Sequence, residues 1–325
     1  MTDGDFNSFT CNAHLSYKSL LKCRWRAVYS LVALRIEGGS QASLGRCRST
    51  NDDSVLVRPE LDLYAVADGA GRGGHIASTI TISAMSEYFE RTQRGNVNLP
   101  YDIDGFGYFA NARRLAAAIH HANAQIVGIA RNSFDYRLMG STVAACALSP
   151  DIGYMHIASI GDSRCYRLRG TALEQLTDDH SLLHDAIALR PDMSDEELAA
   201  LPTHLVTRVL GTTEGLRVYT KTLEMWPGDR ILLCSDGLSN TLDAKTLRAI
   251  MCDESDPGRA TAQLAERALG EGAGDNVAVI VLDCSNPGAD RLREPRRAPR
   301  PVASDAHTEF PTESGEEEIA FFGVS

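Results

Sequence analysis

Four aspartates stand where packing gains nothing from a charge: Asp53 in Thr50-Asn51-Asp52-Asp53-Ser54, Asp68 before Gly69, Asp236 before Gly237 and Asp275 before Asn276. Each begins or ends an apolar, strand-like run. A carboxylate at the end of a buried strand is costly to desolvate alone, and sharing a cation is the usual remedy. Hard oxygen donors of this kind suit Mg²⁺ or Mn²⁺, not the soft metals that thiolates select. The glycines after Asp68 and Asp236 let the backbone approach closely, which makes the Gly69 carbonyl a further candidate ligand. A single Asp-Gly pair marks turns in proteins of every kind. The weight therefore rests on the combination.

The elements that must position these residues alternate in groups. A strand-rich run over residues 28–36 opens the folded part, followed by strands over 54–57 and 61–67, the last emptying into Asp68-Gly69-Ala70-Gly71-Arg72-Gly73-Gly74. Helical periodicity covers 76–91 and 111–131. Short strands return at 142–148, 154–160, 165–169 and 173–176, separated by turn residues and spaced for antiparallel hairpins rather than helical crossovers. A helical and loop insertion comes next, with Ser194-Asp195-Glu196-Glu197 written as a capping box. Strands at 218–224, 231–235 and 277–283 and helices at 244–251 and 259–269 complete the pattern. Strands and helices in separate groups predict an α+β fold.

Residues 1–27 read as an N-terminal extension without a clear period, 28–284 as the folded domain, and 285–325 as a disordered C-terminal tail. The tail is basic first and acidic later, and ends in the apolar run Ile319-Ala320-Phe321-Phe322, open to two readings: a solvated end or a docking segment. A net charge of −11 without an offsetting basic stripe argues against nucleic-acid binding. No apolar run approaches the length of a bilayer span, so no membrane association is expected. The eight cysteines show no Cys-x-x-Cys and no zinc spacing, and are read as reduced thiols of a cytoplasmic protein. None lies in a Cys-x5-Arg loop of the kind that cysteine phosphatases use.

Eight segments, in order, resemble the metal-dependent protein phosphatases of the PP2C or PPM type, in their bacterial form. They are Arg48-Ser49-Thr50-Asn51-Asp52-Asp53-Ser54, Val66-Ala67-Asp68-Gly69, Met139-Gly140-Ser141-Thr142, Ile160-Gly161-Asp162-Ser163-Arg164, Leu176-Thr177-Asp178-Asp179-His180-Ser181, Thr207-Arg208-Val209-Leu210-Gly211, Cys234-Ser235-Asp236-Gly237-Leu238 and Gly274-Asp275-Asn276-Val277. The resemblance implies a central sandwich of two antiparallel sheets flanked by helix pairs, with the site in a cleft at one end. It implies that Asp53, Asp68, Asp236, Asp275 and the Gly69 carbonyl hold two catalytic Mn²⁺ or Mg²⁺ ions, with Asp68 bridging, and that Asp162 helps hold a weaker third. Arg48 then grips the substrate phosphate.

The implied reaction is hydrolysis of phosphoserine or phosphothreonine in proteins by a water activated between the two ions, reversing a bacterial Ser/Thr kinase. A monomer is expected. A pseudophosphatase that scaffolds a kinase or adaptor is the competing reading; it expects lost ligand positions, and none is lost. The chain departs from the family at Ala70, where eukaryotic members have a histidine that protonates the leaving group. His75 and metal-bound water both stand as substitutes, and Arg72 reads equally as a substrate contact or a solvated side chain. Asp52 replaces a frequent glutamate. Asp179, His180 and the hydroxyls of Ser141 and Thr142 are read as structural, and the flap over 183–204 departs from the usual glycine-containing pattern.

Overall fold

The computed structural model describes residues 34–93, 110–202, 205–212, 215–286 and 322–323. The expected N-terminal extension and nearly all of the expected tail lie outside these residues. Thirteen strands are described: β1 (Arg35–Ser43), β2 (Asp53–Arg58), β3 (Leu63–Ala70), β4 (Gly140–Ser141), β5 (Val143–Ser149), β6 (Tyr154–Ile160), β7 (Arg164–Arg169), β8 (Ala172–Gln175), β9 (Leu205–Val206), β10 (Tyr219–Glu224), β11 (Asp229–Cys234), β12 (Val277–Ser285) and β13 (Phe322–Gly323). Between them lie helices α1 (Gly74–Gln93), α2 (Ala110–Asn132), α3 (Leu182–Leu189), α4 (Asp195–Ala199), α5 (Asp236–Ser239), α6 (Ala244–Asp253) and α7 (Pro257–Gly270).

One sheet runs β1-β12-β11-β7-β8, the other β10-β6-β5-β3-β2 with β4 on β3, and β13 pairs with β9 apart from both. The ladders are antiparallel, as the hairpin spacing predicts. The side-chain period of two sorts each strand between two cores. Tyr64 and Val66 of β3 meet Ile280 and Leu282 of β12 between the sheets. Leu63 and Ala65 point the other way, against Met85 and Phe89 of α1 and Leu115 and Ile119 of α2. On the far side Val279 and Val281 pack under Leu247 and Met251 of α6 and Leu264 of α7. The result is the expected α-β-β-α stack. Strands covered on both faces lose polar alternation, which is why Val143-Ala144-Ala145-Cys146-Ala147-Leu148 reads as an unbroken apolar run.

The first strand departs from the sequence expectation. It is described from Arg35, residues 28–33 lying outside the described residues, and runs past the expected end at residue 36 through Gly38 and Gly39 to Ser43. A Cβ at Gly38 would fall 2.5 Å from Leu282 Cδ2, and one at Gly39 would fall 2.4 Å from the Cα of Gly258 near the start of α7. The glycines that weaken strand propensity are what let β1 lie flush against β12 and the helix. The capping box is present at α4, where Ser194 accepts from the Glu197 amide and the Glu197 side chain accepts from the Ser194 amide.

Candidate active site

Strand polarity gathers the acidic residues. The start of β2, the end of β3, the turn from β6 to β7, the end of β11 and the start of β12 all fall at one end of the sandwich. Asp53 and Asp68 are direct cross-strand partners in the β2–β3 ladder. Asp236 opens α5 two residues after β11, Asp275 lies two residues before β12, and Asp162 sits in the turn by which the chain passes from one sheet to the other.

Hydrogen bonds tie these ends together. Ser235 Oγ donates to Asp53 Oδ2 at 2.7 Å and accepts from the Ala278 amide at 2.9 Å, joining the two sheets through one hydroxyl. Asn276 accepts from the Asp52 amide at 2.8 Å and donates to the Thr50 carbonyl at 3.1 Å, so the loop that delivers Asp53 is held by the loop that carries Asp275. The Thr142 amide donates to the Asp68 carbonyl at 2.8 Å, and the Gly69 amide to the Asp52 carbonyl at 3.1 Å. Gly69 has no room for a side chain: a Cβ there would lie 2.1 Å from the Gly74 carbonyl oxygen. Ser235 and Asn276 tie the loops of the acidic cluster together, a part that sequence reasoning did not assign to them although it quoted both inside motifs. Their signal was adjacency to Asp236 and Asp275.

Electrostatically this end of the molecule is strained. Burial pushes the Asp53 carboxyl up to about 7, with Asp236 and Asp275 adding to the rise against the hydrogen bond from Ser235. Desolvation, then the charges of Asp53, Asp236, Asp275 and Asp162, hold Asp68 well above the usual carboxylate range. Burial raises Asp162 as well, followed by the charges of Asp236 and Asp179. Oδ1 of Asp53 is buried with no amide, amine or hydroxyl donor, and its hydrogen-bonding neighbour is the Asp68 carboxyl, with which it must share a proton or a cation. Buried polar atoms nearly always have partners, so an exception calls for a missing cation or proton. A divalent cation fits this donor set, which is all oxygen and in excess of negative charge. As the side chains stand, no three His, Cys, Asp or Glu among the described residues close into a metal cage. Part of the reason is visible in Asp275, whose Oδ2 accepts from Arg48 Nη2 at 2.7 Å.

Arg48 is therefore beside the aspartates, as expected, but engaged with one of them; Asp275 in turn raises its pKa further. Arg72 is paired with Asp135 at 3.1 Å and largely exposed. His75 Nδ1 lies 3.8 Å from Asp52 Oδ1, beyond hydrogen-bond range, on the first turn of α1. Asp179 receives both Nε and Nη2 of Arg164 and the amide of Gln175. His180 Nδ1 accepts from the Gly161 amide at 3.0 Å, while its own amide donates to the Gly161 carbonyl at 3.0 Å. Burial, then Arg208 and His184, depress this imidazole to about 3. The neutral ring on the Gly161 amide and the His180 backbone amide on the Gly161 carbonyl together brace the turn that carries Asp162.

A two-sheet sandwich with helix pairs outside and a cluster of desolvated aspartates at one end defines a hydrolase class that works through hard divalent cations. Comparison with known proteins makes the assignment specific: residues 43–269 match the model of the protein phosphatase 2C family, and the chain belongs to that family. The serine/threonine phosphatase Stp of Listeria welshimeri is 28% identical over 244 residues, covering 74% of this chain and 92% of its own. The serine/threonine protein phosphatase PstP of Mycobacterium tuberculosis is 32% identical over 257 residues, 78% of this chain but 46% of the relative. The crystal structure of the PstP catalytic domain in complex with two manganese ions superposes with a TM-score of 0.64 at 29% identity, covering 78% of this chain and all of that one.

Proposed function

We propose that this phosphatase hydrolyses phosphoserine and phosphothreonine in proteins, using two Mn²⁺ or Mg²⁺ ions held by Asp53, Asp68, Asp236, Asp275 and the Gly69 carbonyl. The observation that carries the reading is the convergence of these carboxylates at one end of the sandwich, with Oδ1 of Asp53 buried and without an amide, amine or hydroxyl donor beside the Asp68 carboxyl. The cations, when bound, supply an activated water and screen the anionic phosphate from an anionic protein. The chain's own residues do the rest. Asp53 and Asp68 hold their carboxylates side by side on rigid strands, and Ser235 and Asn276 fix the loops between them. Arg48 exchanges Asp275 for the phosphate oxygens, to which its planar fork offers paired donors. Asp162 helps hold a third, weaker cation, braced by His180 and the Arg164–Asp179 pair.

The relatives named as serine/threonine phosphatases support protein substrates, and a bacterial Ser/Thr kinase with its targets is the partner this reading names. No described helix is long and apolar enough to cross a membrane. A cytoplasmic monomer of 35.2 kDa completes the proposal and is checked by light scattering. The deciding experiment is phosphate release from a phosphothreonine peptide, and from an autophosphorylated kinase, with Mn²⁺, with EDTA and after Asp236→Asn. Activity is expected with Mn²⁺ alone; turnover that survives chelation or the substitution refutes the reading.

A further inference from the structure

Ser235 sits between the end of β11 and the start of α5, and its hydroxyl stands in for a main-chain group. The β11–β12 ladder ends at the pair Cys234–Val279. One position on, the Ser235 amide still donates to the Ala278 carbonyl at 3.0 Å, but the Ala278 amide donates to Ser235 Oγ at 2.9 Å. The Ser235 carbonyl has turned away into α5, where it accepts from the Leu238 amide at 3.2 Å. The side chain thus closes the ladder in place of the carbonyl, and the chain is free to present Asp236 at the first position of the helix. A serine before a helix ordinarily turns its oxygen back to the second or third helical amide. Ser235 makes no such bond. Its proton goes instead to Asp53 Oδ2 at 2.7 Å, across to the other sheet.

We propose that Ser235 is the positioning residue of Asp53 and that its hydroxyl sets the cation affinity of the site without touching cation or substrate. This rests on the phosphatase reading of the site and goes beyond it. A hydroxyl has one proton and two lone pairs. With a lone pair taken by an amide held in the ladder, the proton has a fixed direction, toward the carboxylate. Ser235 is fully buried, so no water replaces it. Among the described residues it is the one hydroxyl or amide donor to the Asp53 carboxyl, whose other oxygen faces the Asp68 carboxyl. Holding Oδ2 therefore keeps Oδ1 turned to Asp68, the arrangement in which two carboxylates share a cation. Without that bond the carboxylate turns freely about a soft, two-fold torsion. Ser235 is also joined by a peptide bond to Asp236, and Ala278 follows Asp275 on the same run into β12. One hydroxyl thus relates aspartates delivered by three separate elements.

The test titrates the full chain, Ser235→Ala and Ser235→Thr with Mn²⁺ in a calorimeter, and melts each in EDTA. Ser235→Ala is expected to raise the Mn²⁺ dissociation constant by about 10–100-fold, the usual effect of removing a partner of a metal ligand. Ser235→Thr keeps the hydroxyl and restores binding to near the wild-type value. A purely structural role moves other quantities: the alanine variant then melts lower in EDTA yet binds Mn²⁺ as tightly as wild type, and the proposal is overturned. Should the alanine chain not fold, Ser235→Cys, which fills the same space with a weaker donor, carries the comparison. Weakened Mn²⁺ binding in the cysteine variant supports the proposal, and wild-type affinity refutes it. A wild-type chain that takes up no Mn²⁺ at all refutes the phosphatase reading, and the role of Ser235 falls with it. Wild-type binding with an unaffected alanine variant refutes the role of Ser235 alone.

Discussion

Replacing Asp53 by asparagine is expected to make the cation-free protein more stable while abolishing its activity. Asp53 and Asp68 are opposed in the β2–β3 ladder, a geometry that places Cβ atoms ~5 Å apart on one face. Two full charges at that separation repel by about 3 kcal/mol at an effective dielectric constant of ~20. Proton uptake relieves part of this, because burial raises both the Asp53 and the Asp68 carboxyl; about 3 kcal/mol is thus a ceiling, and about 2 kcal/mol is taken as the order of magnitude near pH 8. A folded-state pKa above the unfolded value contributes stability that is complete below about pH 4 and is lost as pH rises through about 7. The asparagine variant lacks that loss, so its advantage grows from pH 5 to pH 8. The amide keeps an oxygen for Ser235 and points a donor at Asp68. At 2–4 °C per kcal/mol for a domain of this size, the melting temperature in EDTA at pH 8 should rise by about 4–8 °C. Saturating Mn²⁺ raises wild type, by about 2.7 kcal/mol at a hundredfold excess over the dissociation constant, and leaves the variant nearly unmoved. A variant that melts below wild type in EDTA, or that retains Mn²⁺-dependent turnover, would refute the electrostatic reasoning.

Asn276→Ala leaves the Asp52 amide and the Thr50 carbonyl without partners; it should cost about 1–3 kcal/mol by urea denaturation and lower kcat/KM by about 10–100-fold. Gly237→Ala places a Cβ 1.9 Å from the Asn276 carbonyl oxygen, so the start of α5 must move. About 1–3 kcal/mol of stability and most of the activity should be lost, read by thermal melts and phosphate release. His156, bonded to Ser149 and Thr222 in the core, is depressed by burial to about 4. Below pH 6.5 the unfolded chain takes up a proton that the fold refuses, so stability falls toward pH 4 by up to about 1.4 kcal/mol per unit. The urea midpoint of His156→Asn should decline less steeply than wild type between pH 6.5 and 5.

What was legible in the sequence follows from the range of the forces involved. The helices over 74–93 and 110–132 and the strands of the hairpin region announce themselves by local periodicity, and their bounds differ from the expectation by three residues or fewer. The aspartates are legible because a charge at the end of an apolar run conflicts with its surroundings. The continuation of the first strand past residue 36 was not foreseen because Gly38 and Gly39 have low strand propensity and are justified only by the packing of Leu282 and Gly258, over two hundred residues away. Ser235 and Asn276 were passed over for the same reason: their partners, Asp53 and Thr50, are distant in sequence. The pairing of β13 with β9 is similarly long-range, so the terminal apolar run could be noticed but not placed.

The Arg48–Asp275 ion pair balances part of the negative charge gathered at this end of the sandwich. Both side chains are about a quarter exposed, so the pair is partly screened and contributes little to global stability. Its value is positional. The guanidinium neutralises one carboxylate among several that repel each other, and it is held at the cleft where phosphate must bind. On the proposed reading, cations held by the aspartates would take over this neutralising role and leave the Arg48 guanidinium free for the substrate phosphate. Charge balance would then couple metal binding to phosphate recognition through a single exchange of partners.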